Sequence, residues 1–517
     1  MTKKLSILLK GLEIFKTYGS KNIEVTGIKD DSRKVISGNI FVAIYGQRYN
    51  SHKFINDVIE KGASVVVGEI KPQQRWLTKI TYIKVTNSRR ALGLLASAWY
   101  EYPSKRLKIL GVTGTDGKTT TASIIYWLLK NSGKKVGLIS TINAKIGDRE
   151  YDTGFHVTNP EPLLLQNFLA KMVEAEFEYA ILEVTSHGLD QERVAGIDFD
   201  IGVLTNITQE HLDYHKTWLD YFNTKAKLFK KVKFAVLNKD DSVVYEDIKC
   251  VVPSSAEVIT YGIRDESADY YGEDILERSY GTEFDIVNRK KAHHFKIKLL
   301  GDYNVSNILA SCAVARACNI GWEKISLAAS SFKSPRGRLE EVKNNKGFKV
   351  FVDFAHTPNA LENVLSYLAK RKKRRLITVF GCAGERDVGK RVQMGEISGR
   401  LADFTIFTAE DPRGENVSDI IKEMVKGVKM LSTKKADFSN FYELIHKSKN
   451  HIYFEIPERG EAITFAIQKL AKKGDRVIIC GKGHEKSMAY NGIEYPWSDQ
   501  EAVKMALEGE VMRIKRK

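Results

Sequence analysis

The run Gly111-Val-Thr-Gly-Thr-Asp-Gly-Lys-Thr-Thr120 decides how this chain is read. An apolar stretch over 106–112 precedes it and predicts a buried strand, and the apolar spacing over 119–130 predicts an amphipathic helix after it. A glycine-rich turn between a strand and a helix is the setting of a phosphate-binding loop. Its glycines, Gly114 and Gly117, let backbone N–H groups approach phosphate oxygens, and the helix N-terminus adds partial positive charge. Thr115, Asp116 and Thr120 complete the loop, Lys118 would reach the β- and γ-phosphates, and the Thr119 hydroxyl would ligate Mg²⁺. The strict G-x-x-x-x-G-K-[ST] pattern is missed because Val112 stands at its first glycine. The loop predicts binding of a nucleoside triphosphate.

Outward from the loop, predicted strands (135–141, 179–184, 201–204, 234–237) alternate with predicted helices (162–174, 221–231). Such alternation implies βαβ units and a mostly parallel sheet. Near the end of this stretch Phe295, Ile297 and Leu299 alternate with lysines, which predicts a small antiparallel sheet decorating the central one. Residues 101–105, polar with one proline, read as a linker, and the basic stretch 334–338 as a second boundary. Strand–helix alternation resumes over 349–480, predicting a doubly wound, Rossmann-like sheet that lacks a G-x-G-x-x-G fingerprint. The expected fold is therefore α/β with three domains: 1–102, a central P-loop ATPase-like domain over 103–334, and 335–517. A length of 517 residues, at roughly 150 per domain, agrees.

Further motifs stand at the carboxyl ends of predicted strands, where ligands gather in open α/β sheets. Glu183-Val-Thr-Ser-His-Gly-Leu-Asp-Gln-Glu-Arg193 carries an acid able to complete a magnesium shell, with Ser186 and Arg193 able to hold substrate oxygens; a strand-end capping network reads equally from the same residues. In Thr205–His215, residues His211, Asp213 and His215 suit either a metal or the surface of an irregular turn. Lys225 reads as an ordinary exposed helical lysine, and no spacing singles it out. Four strand ends in the last third (352–358, 380–387, 410–413, 480–485) are rich in glycine and charge, which implies a polar small-molecule pocket.

Composition narrows the class. Hydrophobic residues make up 43%, enough for ordinary cores, and no apolar run approaches the ~18 residues a spanning helix needs. No signal peptide is read at the N-terminus. Five cysteines without metal-type spacing suit a reducing compartment, so a cytoplasmic protein is expected, with no membrane partner. The net charge of +17 is dispersed apart from Lys370–Arg375 and the tail, and it decides nothing alone. A nucleic-acid-stimulated ATPase using that cluster is the reading from another class; the chain has neither helicase-type motifs nor aromatics interleaved with the cluster, so no nucleic-acid partner is expected.

Taken together, the motifs resemble the Mur ligase family, most closely its MurE branch, over nearly the whole chain. Asp31-Ser-Arg33 with Asn39-Ile-Phe-Val-Ala43 resembles the uridine-binding opening motif, which implicates Ser32. Gly114–Thr120 matches the family's G-T-x-G-K-T-T loop, 183–193 its E-V-S-S-H-x-L-x-Q-x-R-V element and 211–215 its H-L-D-Y-H. Residues 221–229 match the helix bearing the family's carbamylated lysine, which falls on Lys225. Asn304, Asn307 and Arg338 fall at adenine and ribose positions.

The resemblance implies an ATP-dependent amide ligase acting on UDP-MurNAc-L-Ala-D-Glu and a diamino acid in peptidoglycan precursor synthesis. An acyl phosphate forms first and is then aminolysed. It implies Lys118, Glu183, His211 and carbamylated Lys225 as the catalytic set, with Thr119, Glu183, His211 and Lys225 serving two Mg²⁺ ions. Thr158, Asn159, Thr185, Ser186, Gln191 and Arg193 would position the muramoyl dipeptide. Arg386, Glu410, Asp411, Pro412, Arg413, Gly481 and Glu485 would meet the incoming amino acid, and a monomer is expected. Two departures touch substrate grip: Val157-Thr-Asn-Pro160 replaces N-T-T-P, and Thr185 replaces the first serine of S-S-H. Diaminopimelate-adding members show D-N-P-R where this chain has Glu410-Asp-Pro-Arg413. Arg413 suits the distal carboxylate of meso-diaminopimelate, whereas Asp411 could favour the ammonium of L-lysine; the first is preferred. Another Mur branch or a polyglutamate-type ligase is the nearest alternative within the enzymes.

Overall fold

The computed structural model describes residues 2–46, 50–154, 158–278, 280–431, 433–437 and 450–515. Its strands are short apolar runs such as Val65–Gly68, Tyr179–Glu183 and Arg476–Cys480, buried along most of their length. Runs without alternation have no solvent face, so helices must cover both sides, as parallel sheets require. Three large sheets result, each with a hydrophobic core on either face.

The N-terminal sheet runs Ile14–Tyr18, Thr81–Val85, Val65–Gly68, Asn39–Val42, Gly27–Lys29, with only the first strand antiparallel. In the central sheet Lys108–Thr113 lies between Tyr179–Glu183 and Ile201–Leu204, all parallel. Phe234–Asn238 and Glu257–Gly262 continue it on one side. Next come Tyr270–Arg278, Gly281–Asn288 and Lys291–Ile297, the antiparallel strands foreseen from the Phe295 alternation. They do not form a separate small sheet. Tyr261 and Gly262 pair in parallel with Tyr270 and Tyr271, so the edge of the parallel sheet is satisfied by direct extension.

The C-terminal sheet has the order Glu340–Val342, Lys349–Asp353, Arg476–Cys480, Leu376–Phe380, Phe404–Phe407, Ile452–Glu455, Lys434–Lys435. Only its first pair is antiparallel. This is the doubly wound arrangement, with the last long strand inserted beside the first. Helix starts follow local chemistry: Thr357 caps Pro358–Lys370 through Ala360 N–H, with proline at the first helical position.

The stretch 101–105 is less of a free linker than its composition suggests. Pro103 and Ser104 are buried, and Ser97 Oγ donates to Gly196 O at 3.0 Å, bracing the N-terminal unit on the central one. Among the described residues no helix is long and apolar enough to cross a membrane.

Helices Gly389–Leu401 and Val417–Lys429 approach so closely that a Cβ on Gly427 would lie 2.0 Å from Val392 O, and one on Gly395 1.9 Å from Met424 O. Gly427→Ala is expected to destabilise this unit by about 1–3 kcal/mol through overpacking. Thermal unfolding of the purified variant checks it; an unchanged transition would contradict the close contact.

Candidate active site

The carboxyl ends of the central strands open into a cleft of about 1010 Å³ that also takes in the carboxyl ends of the C-terminal strands. At its floor is the phosphate loop. Gly114 adopts φ +147°, and a Cβ there would fall 1.8 Å from Thr205 Oγ1, so only glycine fits. The neighbouring strand end cradles the loop: Asn206 Oδ1 accepts from Asp116 N–H at 2.9 Å and Thr205 Oγ1 donates to Asp116 O at 2.6 Å. Gly117, at φ +82°, leads into helix Lys118–Asn131, whose first N–H groups face the cleft as an anion seat.

Thr119 Oγ1 lies 2.9 and 3.0 Å from the two Glu183 carboxylate oxygens, and Thr141 N–H donates to Glu183 Oε2 at 3.0 Å. Two lysines converge beneath the loop. Lys118 Nζ donates to Thr115 O at 2.7 Å and Gly114 O at 3.1 Å, and Lys225 Nζ donates to Gly114 O at 2.6 Å. Lys225, read from sequence as exposed, is 1% exposed, because the helix Trp218–Ala226 packs that face under the loop. Burial and the Lys118 charge push its ammonium well below the ordinary lysine range, favouring a neutral amine.

His211 stands at the cleft wall, and burial holds its imidazole well below the usual histidine pKa, leaving a neutral ring able to ligate. His215 does not join it in a metal cluster. Its ring packs against Tyr214 and Tyr221, and among the described residues no group of three or more His, Cys, Asp or Glu is arranged to hold a metal. A hydroxyl, a carboxylate and a neutral imidazole nevertheless suit Mg²⁺, which keeps waters and phosphate oxygens for the rest of its shell.

The side wall is a connected polar network. Asn159 Nδ2 donates to Glu183 O at 2.8 Å, and its Oδ1 accepts from Thr185 N–H and Thr185 Oγ1, each at 2.9 Å. Thr185 thus keeps the hydroxyl function of the serine it replaces, and it caps the helix Ser186–Asp190. Thr158 bonds Thr141 at 2.9 Å, Arg193 Nη1 donates to Asn159 O at 2.7 Å, and Gln191 Oε1 accepts from Arg193 Nε at 3.1 Å. Val157 lies outside the described residues.

The C-terminal unit closes directly on the loop. Thr357 Oγ1 and Asn359 Nδ2 donate to the Asp116 carboxylate at 3.1 and 2.7 Å, and Lys390 pairs with Glu210 at 3.2 Å. Arg338 Nη2 donates to Thr119 Oγ1 at 3.1 Å while its guanidinium stacks on Phe354. Arg338, expected from the resemblance at the nucleotide, thus meets the phosphate loop through Thr119, with Phe354 against its guanidinium. Asn304 and Asn307 line the cleft beside the loop, with Thr121 Oγ1 donating to Asn307 Oδ1 at 3.0 Å.

Arg386, Glu410, Asp411, Arg413 and Glu485 line the same cleft, with Arg386 Nη1 3.9 Å from Asp213 Oδ2. Gly481 stands just behind them, against the Glu410 side chain, and Pro412 is buried in its loop. Ser186 is buried outside the lining. Ser32 sits on a 3-10 turn of the N-terminal unit, also outside it.

Comparison with known proteins fits this layout. The family descriptions "Mur ligase middle domain" and "Mur ligase, glutamate ligase domain" match residues 112–315 and 337–483. The chain belongs to the Mur ligase family. Among relatives of this Mur ligase, a UDP-N-acetylmuramoyl-L-alanyl-D-glutamate–2,6-diaminopimelate ligase of Geobacillus kaustophilus (strain HTA426) is 37% identical, covering 98% of this chain and 99% of its own. Ligase 1 of that name from Clostridium acetobutylicum is 40% identical over 90% and 91%. A solved structure of a ligase of the same name superposes with TM-score 0.67 at 29% identity, covering 98% and 99%.

Several contributors to this Mur ligase's cleft escape a sequence reading. Lys482, 0% exposed, is held charged against its burial by Glu485 at 2.5 Å and Asp411 at 2.8 Å. Glu210 and Lys390 form a buried pair across the two units. Glu210 and Lys482 each lie in a stretch already singled out, 205–215 and 480–485, whereas nothing in the sequence marks Lys390.

Glu410 is buried with Oε2 lacking a partner among the described residues, and burial raises its carboxyl to about 7. The folded chain therefore holds this proton more tightly than the unfolded one, and stability falls as pH rises from the unfolded carboxyl range toward about 7. Glu410→Gln removes that loss, so its unfolding free energy relative to the parent, read by denaturant unfolding at each pH, is expected to climb between pH 5 and 8, by up to about 3 kcal/mol. A pH-independent difference would contradict the raised carboxyl.

Proposed function

We propose that the chain adds meso-diaminopimelate to the D-glutamyl carboxylate of UDP-MurNAc-L-Ala-D-Glu, using ATP. The observation that carries this reading is one cleft lined both by the phosphate loop with Thr119 and Glu183 and by two arginines, Arg386 and Arg413. Full-length relatives named for that reaction support it. In this reading 1–102 holds the uridine nucleotide with Ser32, 103–334 holds ATP, and 335–517 holds the amino acid. The reaction is a cytoplasmic step in making peptidoglycan precursors.

A carboxylate is a poor electrophile. Transfer of the γ-phosphoryl group to its oxygen releases ADP and leaves an acyl phosphate, whose phosphate can depart. The free amine of diaminopimelate attacks the acyl carbon, and collapse of the tetrahedral adduct expels inorganic phosphate and forms the amide. Lys118, Arg338 and the helix N-terminus offset the charge on the phosphates. Thr119, Glu183 and His211 would hold Mg²⁺, with Lys225 contributing once carbamylated; bound metal supplies charge neutralisation and in-line alignment. The neutral amine favoured at Lys225 is the form that combines with CO₂. Thr158, Asn159, Thr185, Gln191 and Arg193 orient the dipeptide carboxylate toward the transferred group.

The choice of amino acid follows from charge. Asp411, which on sequence could favour L-lysine, is already paired with Lys482. Arg413 has no ion-pair partner among the described residues, and its charge, after burial, depresses the neighbouring Arg386 guanidinium. Two guanidinium groups lining one cleft suit a second carboxylate, which diaminopimelate has and lysine lacks.

Phosphate release and product mass with UDP-MurNAc-L-Ala-D-Glu, ATP and Mg²⁺ test this. A tripeptide is expected with meso-diaminopimelate and little with L-lysine; the reverse would overturn the specificity, and no product with either the reaction. Arg413→Ala should lower kcat/KM for diaminopimelate roughly 10- to 100-fold. Lys225→Ala should abolish both turnover and the carbamate signal seen by ¹³C NMR in labelled bicarbonate; a fully active variant would remove Lys225 from the mechanism.

A further inference from the structure

The proposed amino-acid site is built from two loops that leave non-adjacent strands. Glu410–Arg413 follows Phe404–Phe407, and Gly481–Glu485 follows Arg476–Cys480; Leu376–Phe380 lies between these strands. After Gly481 N–H, which donates to Asp353 O at 3.1 Å, the sheet gives these loops no further ladder bonds among the described residues. Something beyond the ladder has to fix the spacing between them.

Arg459 spans that gap. It opens the helix Arg459–Phe465 and is 1% exposed. Its Nη1 donates to Ala409 O at 2.9 Å, the carbonyl just before Glu410, and its Nη2 donates to Cys480 O at 2.8 Å, the carbonyl just before Gly481. Asp499, at the start of helix Asp499–Glu508, takes the remaining face of the guanidinium at 2.8 and 2.7 Å. Trp497 Nε1 donates to Asp499 Oδ1 at 2.9 Å, fixing the carboxylate in turn. Despite burial, Asp499 holds the arginine charged, so its forked donors stay committed to the two carbonyls.

We infer that Arg459, oriented by Asp499 and Trp497, is a positioning residue that sets the distance between the two loops binding the incoming amino acid. Resting on the proposed ligase reading, it assigns selectivity to a group that does not touch the substrate. The pair Lys482–Asp411 ties the same loops nearer the cleft, and bonds from Arg413 N–H to Ala489 O and from Ala489 N–H to Asp411 Oδ1 hold the first loop to the chain just beyond the second, so Arg459 is the inner tie among several. The planar fork presents donors on separate atoms, Nη1 and Nη2, to the two carbonyls while Nε and Nη2 face Asp499, whereas all the donors of a lysine sit on one atom.

Arg459→Lys keeps a cation for Asp499 and loses the double reach. Expected is a tenfold or greater rise in KM for meso-diaminopimelate, with KM for ATP and for the nucleotide dipeptide within twofold of the parent. The ratio of kcat/KM for diaminopimelate over L-lysine should fall at least fivefold. Trp497→Phe, a milder change that frees one side of Asp499, should move the same two quantities in the same direction by two- to fivefold, and it decides the matter if Arg459→Lys does not fold. Folded variants whose amino-acid KM and selectivity ratio stay within twofold of the parent overturn the inference. So do variants in which all three KM values rise in parallel, since a general loss of structure does that. A parent chain that joins no amino acid to the nucleotide dipeptide would instead overturn the ligase reading itself, and this inference with it.

Discussion

The Thr119 hydroxyl lies at hydrogen-bonding distance from both Glu183 oxygens while accepting a hydrogen bond from Arg338, and the rest of the cleft is arranged around that meeting point. One group comes from the first turn of the loop helix, one from the end of the adjacent strand and one from the C-terminal unit. Their convergence requires the strands Lys108–Thr113 and Tyr179–Glu183 to be parallel and in register, so that both end at the same level. It also requires the C-terminal unit to be seated against the loop, which Asp116 with Asn359 and Glu210 with Lys390 accomplish. An acidic residue in a phosphate loop would repel its ligand. Here the Asp116 carboxylate is capped by Thr357 and Asn359, donors from the other unit.

Around the amino-acid loops, Lys482 pairs with both Asp411 and Glu485 and offsets part of the negative charge that would oppose an anionic substrate. A change in one loop residue is therefore read through its buried partner. Asp411 in place of an amide looks like a switch toward a cationic ligand until the lysine paired with it is seen.

Much of this was legible in the sequence. The loop, the strand alternation and the acidic and basic strand ends are local signals, because glycine, apolar periodicity and charge act over a few residues. The unread features depend on distant partners. Lys225 is buried only because its helix packs beneath the loop, so its own helical setting marks it as exposed. Arg338 meets Thr119 and Phe354, contacts that no spacing encodes. The antiparallel strands were visible as alternation, but their fusion to the central sheet rests on two residue pairs, Tyr261 with Tyr270 and Gly262 with Tyr271. Arg459 carries no motif at all. Its importance lies in two backbone carbonyls, and every residue has one.

The order of strands in the C-terminal sheet also has a consequence for how the chain is made. The N-terminal sheet needs nothing later than Val85, so it can close while most of the protein is still unsynthesised. Strand Lys349–Asp353 is different, because its parallel neighbour, Arg476–Cys480, emerges more than a hundred residues later. Until then one edge of that strand is bare and apolar, the condition under which nascent chains stick to one another and to chaperones. Biogenesis of this enzyme is thus most exposed during translation of its last third.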